Sequence, residues 1–251
     1  MNVDAMKRYK VIAIPFAGGN KQSYRLFQKV TSNEIDWVTL ELPGRGLRYK
    51  EKLLTSFDDM VLDLLKQVRS VISDNNSTYV VYGHSMGSLL GYEIVKKLTE
   101  QNLKLPVALV FSGRAGPSIG PDEFLSELSV PDFWEKVNDK GGLPKEVLKS
   151  QELMEFYYPI IKADFKAIEG YRYSKPDKPL TLPIHVYMGK EELGEHKTKI
   201  DEVNAWQLET KYPLNVQFMD GDHFFIYNHE VALTKNIIHI LKTSSRTLLF
   251  K

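Results

Sequence analysis

The stretch YVVYGHSMGSLLGYEIV, Tyr79 to Val95, limits what this chain can fold into more than any other segment. A run of β-branched and aromatic residues, read as a buried strand, passes directly into an apolar helical pattern. A strand that is apolar on both faces belongs to a parallel sheet covered by helices on both sides. The junction, Gly83-His84-Ser85-Met86-Gly87, matches G-x-S-x-G. In that motif a very tight strand-to-helix turn strains the serine backbone and lifts its hydroxyl above the sheet. Side chains two residues before and after would collide, so glycine is required at both places. The helix that follows aims its N-terminal N–H groups and positive dipole end at the same spot. A glycine-rich turn that merely fits helix against strand explains the glycines but not the serine. Ser85 is therefore read as a nucleophile.

The rest of the chain alternates in the same way. Lys10–Pro15, Trp37–Leu42, Thr78–Tyr82, Val107–Ser112, Pro183–Met188 and Asn215–Met219 read as strands. Between them lie helical patterns at Lys21–Val30, Ser56–Val71, Met86–Leu98 and Glu230–Leu241. Ser56 with Asp59 three residues on predicts an N-cap, and Met60, Leu64, Leu65 and Val68 form one apolar stripe. Strand–helix alternation argues for an α/β domain with a mostly parallel sheet flanked by helices. From Gly113 to Leu182 the alternation stops, and only helical segments are predicted, at Pro131–Asp139, Pro144–Lys149 and Glu152–Tyr171. The economical reading is a single domain over 1–251 carrying an inserted helical lid at 113–182.

Composition narrows the function classes. Lys plus Arg is 33 against 32 Asp plus Glu, a net charge of +1, so no global field attracts nucleic acid or a membrane. The absence of cysteine removes disulfides, thiolate metal sites and a cysteine nucleophile. The first ten residues, MNVDAMKRYK, contain no apolar core of a secretory signal, and the longest apolar runs are too short to cross a bilayer. A soluble cytoplasmic protein is expected, with no metal site.

A serine hydroxyl needs a base that is itself oriented by an acid, and with this elbow the chain order is serine, acid, histidine. Six histidines are available. His84 lies within the motif and is expected to point away from the nucleophile. His185 and His239 sit inside a strand and a helix and read as structural, and His196 and His229 as surface residues. His223, in FMDGDHFFIY just beyond the last strand, stands where a base should. The acid should follow the strand PIHVYMG, where the chain reads Gly189-Lys190-Glu191-Glu192. Glu192 is the first choice, Glu191 the next, and Asp201 competes if the loop folds back. Asp220 and Asp222 read as turn formers. The oxyanion hole requires two amides. One is that of Met86, directly after the nucleophile, and the other comes from IPFAGGN after the first strand, at Ala17. FAGGNKQS has neither Walker spacing nor a dinucleotide fingerprint.

PFAGG, ELPGRG, GHSMGS, SGRAGP and GDHFF occur in this order, with GGLPKEVL and ELMEFYYPIIKADFKAIEGY in the insertion. As an ordered set, from about Lys10 to Leu241, they resemble the type II (external, editing) thioesterases of polyketide and nonribosomal peptide biosynthesis. The resemblance implies an α/β-hydrolase fold with a helical lid. It also implies hydrolysis of acyl or aminoacyl thioesters on the phosphopantetheine arm of acyl or peptidyl carrier proteins, clearing misprimed or stalled carriers. Carried over by motif, Ser85 is the nucleophile, His223 the base, and Ala17 and Met86 the oxyanion donors. The enzyme itself is expected to need no cofactor and to be a monomer. The departure lies at the acid: the family usually has Asp where Glu192 aligns, and the loop from Gly189 to Trp206 is longer than typical. Two rival readings share these residues, a serine esterase acting on free small esters and a non-catalytic binding protein of the same fold.

Within the insertion, Phe124, Phe133, Trp134, Phe156, Tyr157, Tyr158 and Phe165 are expected mainly to pack the lid, with some lining an acyl pocket. Lysines 136, 140, 145, 149, 162 and 166 read as a solvated helix face in preference to a docking surface for an acidic carrier. Arg45, Arg48 and Arg114 stand between local ion pairing and substrate contact.

Overall fold

Alternate residues of the central strands face two different cores. In the first strand Val11 and Ala13 join one cluster and Ile12 and Ile14 the other, and in the third Val80 and Tyr82 separate in the same way from Tyr79 and Val81. This is why the strands are apolar throughout instead of alternating. The computed structural model describes residues 9–248 apart from 32, 34, 74–76, 122, 142–144, 195 and 196. Its strands are β1 (Tyr9–Ile14), β2 (Ile35–Thr39), β3 (Thr78–His84), β4 (Leu109–Ser112), β5 (Ile184–Gly189) and β6 (Asn215–Met219). They form one sheet in the order β2-β1-β3-β4-β5-β6, and every pairing is parallel.

The helices are α1 (Arg25–Val30), α2 (Phe57–Ile72), α3 (Met86–Glu100), α4 (Val130–Asp139), α5 (Lys145–Lys149), α6 (Gln151–Gly170), α7 (Ile200–Asn204) and α8 (Glu230–Leu248). α2 and α3 cover one face through Leu64, Leu65, Leu89 and Leu90, while α1 and α8 cover the other through Phe27, Leu233 and Ile237. Ser56 caps α2, its hydroxyl accepting the Asp59 amide, as the sequence predicts. Helices α4, α5 and α6, with a short 3-10 turn at Leu125–Glu127, lie between β4 and β5 and share a small core of Leu125, Phe133, Trp134, Val137 and Ile161.

The predicted elements differ from those found at several places, among them a fourth strand that starts at Leu109, a last helix that runs on to Leu248 and the unpredicted α7. The second strand ends at Thr39, and Leu40–Leu42 stay buried beyond it as loop. The first helix starts at Arg25, because residues 21–24 turn before it. β6 is an edge strand paired only with β5, so Asn215, Gln217 and Phe218 are exposed where a strand buried on both faces was expected. The chain leaves β1 for β2 on one side and returns to β3 on the other. That reversal opens a crevice at the C-terminal ends of β1 and β3, where ligands bind in open parallel sheets.

Candidate active site

Ser85 occupies the turn between β3 and α3 with φ +52° and ψ −117°, a backbone region that a residue with a side chain adopts only under strain. Its N–H donates to the Ser112 carbonyl at 2.8 Å, which ties the elbow to the end of β4. The two glycines follow from contact distances. A Cβ on Gly83 would lie 2.3 Å from the Gly87 carbonyl oxygen, and one on Gly87 would lie 2.1 Å from the Ile14 carbonyl oxygen. Both are impossible, so helix and strands close on the serine only if both positions lack side chains.

His223 lies on the loop after β6, and its Nδ1 is 2.5 Å from Glu192 Oε1. Glu192 ends a 3-10 turn, Lys190–Glu192, directly after β5, and its other oxygen accepts the Gly189 N–H at 2.9 Å. A Cβ on Gly189 would come within 2.4 Å of the Asp222 carbonyl oxygen, so glycine at the end of β5 is what lets the two loops meet. Both carboxylate oxygens are thereby fixed. The bond to an acceptor-only carboxylate puts the His223 proton on Nδ1 and leaves Nε2 free to accept. Glu191 and Asp201 are exposed, and neither bonds His223 among the described residues. Asp220 pairs with Lys190 at 2.6 Å, and Asp222 accepts the Phe224 N–H at 2.8 Å in a local turn.

Ser85, Met86, His223 and Glu192 line one cavity of about 1210 Å³ together with Phe16, Ala17 and Gly18. Its opposite wall comes from the inserted helices, including Val137, Tyr157, Ile161, Phe165 and Ile168. Met86 is the first residue of α3, so its N–H has no intrahelical acceptor. The Ala17 N–H has no acceptor among the described residues, whereas the next amide, that of Gly18, is taken by Asp164 Oδ2 at 2.7 Å.

The His84 side chain, expected to point away from the nucleophile, does not line the cavity, and its ring centroid lies 4.9 Å from that of His223. Strand alternation turns it to the face where the His223 loop packs. It is fully buried, with Nδ1 2.9 Å from the Ser112 hydroxyl. Burial, reinforced by the neighbouring His223, holds its pKa well below the usual histidine value, so it stands neutral beside the His223 ring. Of the other histidines, His185 is half-buried in β5, His239 is exposed on α8, and His229 Nε2 contacts the Asp220 carbonyl at 2.8 Å. The expectation for His196 lies outside the described residues.

The arginines separate. Arg48 forks onto Asp63 and Glu51. Arg114 lines the cavity and donates to the Ile119 carbonyl at 3.1 Å. Arg45 makes a buried bidentate pair with Asp164 of α6, a partner 119 residues away that local sequence could not supply. Among the insertion residues, Phe133 and Trp134 are buried, Tyr157 and Phe165 face the cavity, and Phe124 and Phe156 are exposed. Lys136 pairs with Glu123 at 2.7 Å and Lys162 lies on Tyr158; the Lys145 side chain lies outside the described residues. No group of His, Asp and Glu among the described residues could hold a metal ion, and no described helix is long and apolar enough to cross a membrane.

Residues 9–241 match the model of the thioesterase domain family. The chain is 31% identical to the gramicidin S biosynthesis protein GrsT of Aneurinibacillus migulanus, over 92% of this chain and 88% of the relative. Among solved structures it resembles ClbQ from the colibactin NRPS/PKS pathway, with TM-score 0.87 and 28% identity over 96% of this chain and 99% of that one. It also resembles YbtT, the type II thioesterase of the yersiniabactin NRPS/PKS pathway, with TM-score 0.81 and 26% identity over 96% and 95% of the two chains. A family match across the sheet, the elbow and the inserted helices leaves one conclusion: this chain belongs to the thioesterase family, as a type II thioesterase with the α/β-hydrolase fold and a serine-based triad.

Proposed function

We propose that this enzyme hydrolyses acyl or aminoacyl thioesters from the phosphopantetheine arm of acyl or peptidyl carrier proteins, clearing misprimed or stalled carriers. The observation that carries the reading is the strained Ser85 facing one cavity with a His223–Glu192 pair in which both carboxylate oxygens are fixed. GrsT, a gramicidin S biosynthesis protein, and ClbQ and YbtT, from NRPS/PKS pathways, support the choice of carrier-bound substrates.

In the proposed reaction Ser85 Oγ attacks the thioester carbonyl carbon while His223 Nε2 takes its proton. The oxyanion is met by the amides of Ala17 and Met86, and Glu192 stabilises the imidazolium. The pantetheine sulfur leaves with the proton returned from His223. Water, deprotonated by the same histidine, then attacks the acyl-serine carbonyl, and the acid is released as the Ser85 oxygen leaves with the proton returned from His223. The chain's own groups supply every step, and the pantetheine arrives with its carrier, so no cofactor is invoked. Residues 113–182 act as a lid that gives the cavity its apolar wall. We place the enzyme in the cytoplasm, as a monomer that docks one carrier at a time.

Intact-protein mass spectrometry of acetyl- and aminoacyl-carrier proteins tests this, with Ser85→Ala as control. Loss of the acyl mass with the native enzyme alone is expected. Retention with both proteins, on either class of carrier, rejects the reading.

A further inference from the structure

The loop that carries Ala17 is closed by one turn of its own, the Gly19 N–H donating to the Phe16 carbonyl at 2.9 Å, and is held from outside by a second set of contacts. Asp164, on α6, has no exposed surface, and its Oδ2 accepts the Gly18 N–H at 2.7 Å. The same carboxylate is forked by Arg45, whose two terminal nitrogens lie 2.5 and 2.7 Å from its oxygens. Arg45 Nη1 also reaches the Gly19 carbonyl at 3.4 Å. One turn earlier on α6, Ile161 packs on Gly18 so closely that a Cβ there would lie 2.8 Å from its Cγ1. The Gly18 amide and the Gly19 carbonyl are therefore anchored, directly or through Arg45, to a helix of the inserted segment.

We propose that Asp164 is a positioning residue that makes the oxyanion hole conditional on the seating of α6. With α6 docked, its carboxylate takes the Gly18 amide, and the Ala17 amide is left to face the reacting carbonyl. When α6 lifts to admit a carrier arm, the carboxylate, Ile161 and the Arg45 bridge withdraw together. The Ala17–Gly18 peptide is then held only by the Gly19–Phe16 turn until the helix reseats, so the acyl group is attacked efficiently only inside a closed cavity. Coupling is favoured over simple charge balance because the Gly18 bond comes from a backbone amide, which a bare Arg–Asp pair does not need. The proposal rests on the reading of Ala17 and Met86 as oxyanion donors.

The test uses two double variants, Asp164→Asn/Arg45→Met and Asp164→Leu/Arg45→Met. Both remove the buried charges, and replacing a whole buried ion pair by uncharged side chains is tolerated far better than removing one partner. Only the first retains an acceptor for the Gly18 amide. Each is measured for melting temperature, for kcat and KM on an acyl-carrier thioester, and for affinity toward an alkyl boronic acid, whose tetrahedral adduct on Ser85 places an oxygen in the hole. The native enzyme is assayed first, by intact mass. Absence of an adduct on Ser85 removes the oxyanion reading itself, and the proposal with it. Given an adduct, the leucine double should lose on the order of 10²-fold in kcat and in boronate affinity, the cost of one oxyanion donor, with little change in KM. The asparagine double should recover most of both. Equal kcat in the two doubles overturns the proposal and reduces Asp164 to a counter-charge for Arg45. If the leucine double does not fold, Ile161→Ala carries the test with the ion pair intact: weaker boronate binding at unchanged KM supports the coupling, and unchanged binding overturns it.

Discussion

Glu192 reaches His223 from the turn after β5, with 2.5 Å between Oε1 and Nδ1, while its second oxygen is held by the amide of Gly189. The longer glutamate side chain is accommodated because it folds back over its own turn before meeting the imidazole. Glu192→Gln should therefore lower kcat by up to about 10⁴-fold by losing the correct tautomer and the charge that stabilises the imidazolium. Asp201→Asn and Glu191→Gln should stay near the native rate. Steady-state kinetics of the three variants decides the assignment, and a slow Asp201→Asn beside a fast Glu192→Gln would reverse it.

The positive φ at Ser85 separates stability from activity. Glycine adopts φ +52° and ψ −117° without steric cost, so Ser85→Gly should abolish turnover and raise the unfolding free energy, by about 1 kcal/mol if the strain is of the usual size. Urea denaturation beside an activity assay gives both numbers. A destabilised Ser85→Gly protein would show that the serine hydroxyl holds the elbow in some other way.

Closure of the elbow depends on Gly83 and Gly87. Because an added methyl would sit 2.3 Å or less from a backbone oxygen at either position, Gly83→Ala and Gly87→Ala must shift α3 relative to β1 and β3. Each should cost about 1–3 kcal/mol of stability, as overpacking does, and most of the activity. Melting curves and labelling of Ser85 by a fluorophosphonate probe are the measurements. Native labelling rates would contradict this account of the motif.

His84 should be visible in the pH dependence of stability. Its folded pKa is depressed by burial below the 6.5 of a free histidine, so below that pH the unfolded chain binds a proton that the folded chain refuses. Stability is then fully present above about pH 6.5 and falls as the pH drops from there towards the folded pKa. His84→Gln should flatten that fall by up to about 1.4 kcal/mol per pH unit, the value of one proton. Burial lowers the pKa of His185 as well, so part of the slope should remain. Urea unfolding at pH 7.5, 6 and 5 for both proteins measures the difference.

The strands and the nucleophile turn were legible because their signals are local. Six apolar runs, a G-x-S-x-G junction and a histidine after the last strand are each written in a few consecutive residues. The least legible strand property was the exposure of β6. Five residues cannot announce that their strand lies at the sheet edge, because that depends on which strands pair elsewhere. His84 shows the same limit at one residue. Its place in the motif was plain, but the ring that packs against it belongs to a loop 139 positions later.

The sequence by itself determined the parallel, helix-covered sheet, the strained turn at Ser85 and the shortlist of acids, since hydropathy periods and glycine sterics act within a dozen residues. The sequence ranked Glu192 first on that shortlist, but only the tertiary structure brings its carboxylate onto His223, through the contact of the β5 and β6 loops at Gly189. Only the tertiary structure, too, joined Arg45, Gly18 and Asp164 into one buried cluster. A carboxylate and a guanidinium 119 residues apart carry no mark in the chain that they will meet. Their pairing is fixed by where α6 comes to rest on the sheet, and that depends on the packing of the whole chain.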